Sequence, residues 1–389
     1  MSDASANVPS CLSPVDLAGI TRFASLDDVT YQDVAAVVRE CEVNRFKPNP
    51  EAALDPRTDL WINYSEARRR RPVSGDTVTG ERAGFDGEDC RQSTPCIVCR
   101  CQLTPAIDVA DLRDGKTFIT FNLYPMVFPF AAGSSCGGQG LHLLQWCSTH
   151  HEADLHNLFT PDVAVILKRL AALEQFLLHS GAPGFPRTDG GRHTGYAAIM
   201  KNRGLKVGGS VEHGHQQITH LSVLPRAIAA DRDFLAREGV PYATSLRQAT
   251  TPELIVAEYA GGLRVVVSPF MRRPLEAVIL PAPGAGEYLH DLDEDTITQL
   301  ATALRETTGA LALLMEARKL SFDYNLAFHT GPVGLLYVEI LPYTQPYGGF
   351  EHLGHYLCQE EPGTTARCYR EVLGFADPPE EEETDDSDD

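Results

Sequence analysis

One order of elements occurs twice along this chain, and it restricts the available folds more than any other feature. The first occurrence opens with "KTFITFNLYP", whose β-branched and aromatic residues predict a strand. A glycine-rich loop leads to a second strand, "LHLLQWCS". "TPDVAVILKRLAALEQFLLHSG" then reads as a helix, with Val163, Ile166, Leu167, Leu170, Leu173 and Leu177 on one face. Thr160 caps it, Pro161 sits in its first turn and Gly181 ends it. "YAAIMKN" and "QQITHLSVLP" follow as strands. The second occurrence runs from "ELIVAEYAGGLRVVVSPF", a hairpin around Gly261 and Gly262, through the strand "LEAVILPA". The long amphipathic "DEDTITQLATALRETTGALALLMEARK" comes next, and "YNLAFHTGP" and "GLLYVEILPY" close it. Strand–strand–helix–strand–strand, twice, predicts an α+β fold of tandem duplicated units, each a mainly antiparallel sheet with a packed helix.

The implied boundaries are an N-terminal segment over 1–40, partly disordered, a first unit over 41–230 and a second over 231–375. An acidic tail over 376–389, ending "DPPEEEETDDSDD", cannot bury apolar surface and is expected to be disordered. A length of 389 residues with 43% hydrophobic content is enough for two core-sized units. The formal net charge of −20 argues against a nucleic-acid partner, which needs a basic face. No apolar run is long enough to span a bilayer, and the first residues lack the basic-then-apolar pattern of a signal peptide. A cytoplasmic location is therefore expected, with no membrane partner. In a reducing compartment the tight cluster "CIVCRC" reads as metal-binding or redox-active rather than as a disulfide scaffold.

The chemistry concentrates in "GGSVEHGHQQITH", residues 208–220. His213, His215 and Gln217 alternate, so on a strand all three project from one face. Imidazole is a good nucleophile toward phosphorus and titrates near physiological pH. Its attack needs one ring nitrogen held by an acceptor, donors for the phosphate oxygens, and close backbone approach. His215, central in the run, is the candidate nucleophile. Gln217 offers an amide donor, and Gly208, Gly209 and Ser210 can bring backbone N–H groups and a hydroxyl. A surface strand with incidental histidines is the plain alternative; the glutamine and the glycine turn weigh against it.

"KNRGLKVGGSVEHGHQQ" resembles the active-site segment of the galactose-1-phosphate uridylyltransferase family, in the histidine triad superfamily. That family reads Asn-Lys-Gly, Gly-Cys-Ser and His-Pro-His-x-Gln at the same spacing. "DPRTDLWINYSEARRRRP", "PCIVCR", "CSTHHEADLHNL" and "YNLAFHTGP" resemble further family segments in the right order, so the likeness spans roughly residues 45–375. The resemblance implies that His215 becomes nucleotidylated, that Gln217 hydrogen-bonds the transferred phosphate, and that Asn202 and Ser210 contact phosphate. It places Arg68 and Arg71 on the diphosphate, where the planar guanidinium fork suits two-point contact; alone, "ARRRRP" would read as a solvated basic run. It places Ile97 and Val98 against the base, and Asn122 and Glu351 at substrate positions. It completes a structural Zn2+ site from Cys96, Cys99, His151 and His213, where spacing alone gives only half a site. A homodimer is implied as well.

Several residues depart from the family pattern. Gly214 replaces the proline between the histidines, so the turn is expected to be less rigid, and Glu212 adds negative charge. The aspartate that holds the ribose is Leu123 here. His329 matches one ligand of a second, iron-type site, but the remaining His-x-His is Tyr337-x-Glu339, so that metal is not expected. Glu351 is kept, while a nearby lysine is Gln345. The expected activity is nucleotidyl transfer from a nucleotide sugar or dinucleoside polyphosphate, through a nucleotidyl-histidine, to a sugar phosphate or inorganic phosphate. A hydrolase of the histidine triad type and a non-catalytic, zinc-stabilised nucleotide-binding protein are the alternatives.

Overall fold

The computed structural model of the chain describes residues 11–27, 29–71, 96–130, 137–179, 185–186 and 192–376. The first ten residues, the acidic run from Asp377 onward and the expected helix stop Gly181 lie outside them. In chain order the elements are α1 (Pro14–Ile20), α2 (Tyr31–Glu40), β1 (Ala52–Asp55), β2 (Leu60–Asn63), β3 (Ala106–Asp111), β4 (Lys116–Phe121) and β5 (Gly140–Trp146). Then come α3 (Thr160–His179), the two-residue strands β6 (Phe185–Pro186) and β7 (Arg192–His193), β8 (Tyr196–Arg203) and β9 (His215–Leu221). The second half holds α4 (Arg226–Glu238), α5 (Tyr242–Ala249), β10 (Ile255–Glu258), β11 (Arg264–Val266) and β12 (Ala277–Leu280). It ends with α6 (Glu294–Ala317), β13 (Tyr324–His329), β14 (Tyr337–Pro342), α7 (Gly349–His352) and α8 (Pro362–Leu373).

Ten strands form one antiparallel sheet in the order β10-β11-β12-β14-β13-β8-β9-β5-β4-β3. Its centre is the β8–β13 pair, where Leu326 faces Lys201 and Phe328 faces Ile199. From there outward each half reads fourth, fifth, third, second and first of its own strands. The sheet is therefore continuous across residue 230. The strands foreseen from β propensity are present; β3, the β1–β2 hairpin and α1, α2, α4, α5 and α8 were not foreseen. Their stretches are short or carry mixed polarity, so a local pattern does not single them out.

Helices α3 and α6 pack on each other across one face of the sheet. They share a core with Leu143, Ile199, Ile218, Leu326 and Ile340. Capping sets the helix starts: Asp293 accepts from the Thr296 N–H, and Thr30 and Asp33 form a reciprocal capping box on α2. Residues 31–40 are not a separate appendage, because Tyr31, Val34, Ala35 and Val38 join the main core. Among the described residues no helix is long and apolar enough to cross a membrane.

Within the C-terminal half an imidazole ties β13 and β14 to α4. His329 Nδ1 lies 2.6 Å from Asp231 and Nε2 lies 2.9 Å from Glu339. Tyr337 stacks on the ring at 4.1 Å and donates its hydroxyl to Asp231 at 2.8 Å. Burial opposes protonation of His329, but Asp231 and Glu339 outweigh it and raise its pKa from 6.5 to about 9. Arg272 supports Glu339 at 3.1 Å. A raised folded pKa stabilises fully below 6.5, and the contribution is lost as pH climbs through about 9. The His329→Gln variant is expected to be less stable at pH 6 by about 3 kcal/mol, and the gap should close by about pH 10. Denaturant titrations of both proteins across that range check it; a gap independent of pH would contradict the assignment.

Candidate functional site

Strand β9 begins at His215, so His213 lies in the loop ahead of it rather than on the strand. The two rings nevertheless share a side of the sheet. Trp146, paired in register with His215, holds both, with centroid distances of 5.0 Å to His215 and 5.8 Å to His213. His215 Nδ1 lies 2.8 Å from the His213 carbonyl oxygen. A carbonyl only accepts, so Nδ1 carries the proton and Nε2 presents its lone pair. Among the described residues Nε2 of His215 has no hydrogen-bond partner. Burial, with the charge of Lys201 adding to it, pushes the His215 pKa down to about 4, so the ring is neutral at pH 7.

The backbone carrying His215 is clamped from below. Lys201, 1% exposed, donates to the His215 carbonyl at 3.0 Å and pairs with Asp154 at 2.7 Å. Asp154 also takes Arg203 at 2.8 Å and the Cys147 thiol at 3.2 Å. Burial disfavours the Asp154 carboxylate, but Lys201 and Arg203 outweigh it and hold its pKa below the usual range. Gly214 sits against this group: a Cβ there would come within 2.7 Å of both the Ala153 carbonyl oxygen and Asp154 Cγ. Its own carbonyl accepts from the Cys147 N–H at 2.8 Å. A side chain does not fit at this position, so packing selects glycine in the turn.

Arg71 lies close enough for its charge to act on His215, and the charge of Arg71 acts on Arg68 in turn. Arg68 donates to the Tyr124 carbonyl at 3.2 Å and Arg71 to the Gly208 carbonyl at 3.4 Å. Neither has a carboxylate partner among the described residues. Burial lowers both pKa values, and Arg71 lowers that of Arg68 further. Gly208 adopts φ +87°, and Gly209 packs where a Cβ would meet the Asn202 carbonyl at 2.6 Å. Asn202 accepts from Asn325 at 2.7 Å, which links the glycine turn to the second half. Ser210 is half-buried in the loop between Gly209 and His213. Gln217 follows His215 on the same face of β9, where it contacts His142 at 3.2 Å. Asn122 approaches the same ring nitrogen, Nε2, also at 3.2 Å. Val98 is fully buried against Trp146 and Phe118, while Ile97 is half-buried. Glu351 is not brought to this group; its carboxylate accepts from the Gly348 N–H of its own loop at 2.8 Å.

Cys96, Cys99, His151 and His213 converge, with all four donor atoms within 4.8 Å of one another. His213 Nδ1 is 3.6 Å from the Cys96 sulfur, and His151 Nδ1 is 3.8 Å from that of Cys99. Ligands on a tetrahedral ion with ordinary metal–sulfur and metal–nitrogen bonds sit about 3.5 Å apart. His213 donates its Nε2–H to the Ser148 carbonyl at 2.7 Å, which turns the Nδ1 lone pair inward. The donor set fits a metal.

Three residues of the site escape local reasoning. His142 looks like an intruder on the strand face it shares with Leu144 and Trp146; Lys201 and Asp154 look like surface charges. The weak signal was polarity at a position whose alternation demands an apolar residue. Gly214→Ala is expected to lower stability by about 1–3 kcal/mol by overpacking against Asp154. Gly363→Ala, which meets nothing within 4 Å, should leave it unchanged or slightly higher. Thermal unfolding of the two variants checks the contrast; equal melting points would remove the packing argument.

No family model matches the chain. It is 23% identical over 357 residues to ADP-glucose phosphorylase of Arabidopsis thaliana, covering 83% of this chain and 93% of that enzyme. It is 30% identical over 300 residues to galactose-1-phosphate uridylyltransferase of Haemophilus influenzae, covering 74% of this chain and 80% of that enzyme. Among solved structures, a uridylyltransferase superposes with a TM-score of 0.61 at 18% identity, over 83% of this chain and 98% of that one. The Arabidopsis thaliana ADP-glucose phosphorylase with bound ADP-glucose gives 0.59 at 21% identity, over 82% and 98%. The large antiparallel sheet is common to this fold, and the match to the Haemophilus enzyme assigns the chain, as a divergent member, to the galactose-1-phosphate uridylyltransferase family.

Proposed function

We propose that the chain is a nucleotidyltransferase that moves a nucleoside monophosphate from a nucleotide sugar, through a covalent nucleotidyl-His215, to inorganic phosphate or a sugar phosphate. The observation that carries this is the 2.8 Å bond from His215 Nδ1 to the His213 carbonyl, which leaves Nε2 as a lone pair on a ring that the charge of Arg71 reaches. In the first step Nε2 attacks the α-phosphorus and the bond to the departing sugar phosphate breaks. The proton stays on Nδ1, hydrogen-bonded to the His213 carbonyl, while positive charge develops on the ring. Gln217 and the two arginines take up charge on the phosphate oxygens. In the second step an acceptor oxygen attacks phosphorus and the P–N bond breaks, restoring the imidazole. Cys96, Cys99, His151 and His213 would hold a zinc ion, which supplies rigidity to the His213 backbone and no chemistry of its own.

A phosphorylase is favoured over a galactose transferase by two placements. Glu351 is engaged within its own loop, and Gln345 donates to the Leu357 carbonyl at 2.6 Å instead of facing a hexose. The Arabidopsis thaliana relative is a phosphorylase by name. The repeated strand order supports reading the two halves as related units, divided near residue 230, of which only the first keeps the nucleophile.

The test is intact-mass spectrometry after incubation with ADP-glucose, UDP-glucose or UDP-galactose, followed by addition of phosphate. One of the sugars should add the mass of one nucleoside monophosphate, and phosphate should discharge it as a nucleoside diphosphate. His215→Ala should abolish the adduct and lower turnover by on the order of 10⁴ or more. Turnover in that variant at the wild-type rate would refute the mechanism. Elemental analysis should find one zinc per chain, lost together with thermal stability in Cys99→Ala. A Cys99→Ala protein that keeps its metal would refute that ligand set.

A further inference from the structure

His142 is buried with two amides at one end of its ring, and the chemistry of its neighbours fixes its hydrogen-bond roles. The Met126 backbone N–H points at His142 Nδ1 at 3.1 Å. A backbone N–H only donates, so Nδ1 bears a lone pair and the proton of the neutral ring is on Nε2. Two amides approach Nε2, each at 3.2 Å. Asn122 is committed: its Oδ1 accepts from the Tyr124 N–H at 2.9 Å, so its Nδ2 faces the ring and cannot accept. Gln217 Oε1 is therefore the acceptor of the His142 proton. With its oxygen turned to His142, Gln217 presents only its NH2 group on its other side.

We propose that His142 is the positioning residue that sets the amide orientation of Gln217, so that a donor and never a carbonyl oxygen meets the anionic phosphate. This rests on the reading that Gln217 contacts a transferred phosphate. An amide has no intrinsic preference between its two flips, and the wrong one would set oxygen against oxygen. Only a neutral, Nε2-protonated ring can do this, because a proton on Nδ1 would oppose the Met126 N–H. The surroundings keep it neutral: burial first, then Arg68, push the His142 pKa down to about 3. The arginines proposed to attract the phosphate thus also keep His142 neutral, and the Met126 N–H selects the tautomer that orients the glutamine.

The experiment has two independent arms. In protein labelled with 15N-histidine, His142 should show Nε2 protonated and Nδ1 bare from pH 5.5 to 8, with its signals assigned by their loss in His142→Gln. An Nδ1-protonated ring, or titration within that range, overturns the proposal whether or not the protein turns over any nucleotide sugar. In the kinetic arm, His142→Leu should slow formation of the nucleotidyl adduct about 10²-fold with little change in KM. His142→Gln, which keeps a donor at the ε position, should recover most of the rate. The His142→Leu/Gln217→Ala double variant should be no slower than Gln217→Ala alone, because the two act as one unit. Multiplying effects, or a loss confined to KM, overturn it. Absence of any adduct in the wild-type protein strikes the transferase reading and leaves the orientation to be judged by the spectra.

Discussion

The hydrogen bond from His215 Nδ1 to the carbonyl of His213 is the constraint around which the site is arranged. It acts within one tripeptide, so it places two imidazoles with a single backbone geometry. The first ring turns toward two thiols, and its carbonyl turns toward the second ring. A metal on Cys96, Cys99, His151 and His213 would thus stiffen the acceptor that decides which nitrogen of His215 is nucleophilic. Trp146 closes the arrangement by packing against both rings.

A carbonyl can do this only if the backbone does not yield. Proline can serve that purpose by stiffening the chain itself; here Gly214 allows the chain to be pressed onto Asp154, and Lys201 ties the next carbonyl down. The carboxylate of Asp154 is compensated twice, by Lys201 and Arg203, which is what a buried charge requires to persist. Below the ring the charges are balanced. Above it Arg68 and Arg71 have no carboxylate partner among the described residues, an imbalance that suits the anionic substrate proposed.

The second half uses the same sheet for a different end. At the end of β13 both nitrogens of His329 are taken by carboxylates, so the imidazole becomes a structural cation rather than a nucleophile or a ligand. Tyr337 and Glu339, on the last strand of that half, supply packing and charge to this ring. The framework is shared, and the side chains at the strand ends decide what it does.

The elements that follow from short-range periodicity were legible in the chain: the sheet strands other than β3, the helices α3 and α6, and the His215–Gln217 strand. So was the set Cys96, Cys99, His151 and His213, because it stands on a family likeness that spacing alone would not complete. Residues whose meaning depends on what lies across the sheet were not legible. Lys201 and Asp154 read as solvated charges until the fold buries them together. His142 reads as a lone polar residue in an apolar strand until Met126, Asn122 and Gln217 surround it. Gly214 reads as slack until its missing Cβ proves to be the space Asp154 needs. Sequence by itself determined the long periodic elements and nominated the reactive group, since both follow from local pattern and side-chain chemistry. Tertiary structure decided the tautomers, the buried charge pairing and the close packing of the turn, since these depend on distances between segments that no local pattern encodes.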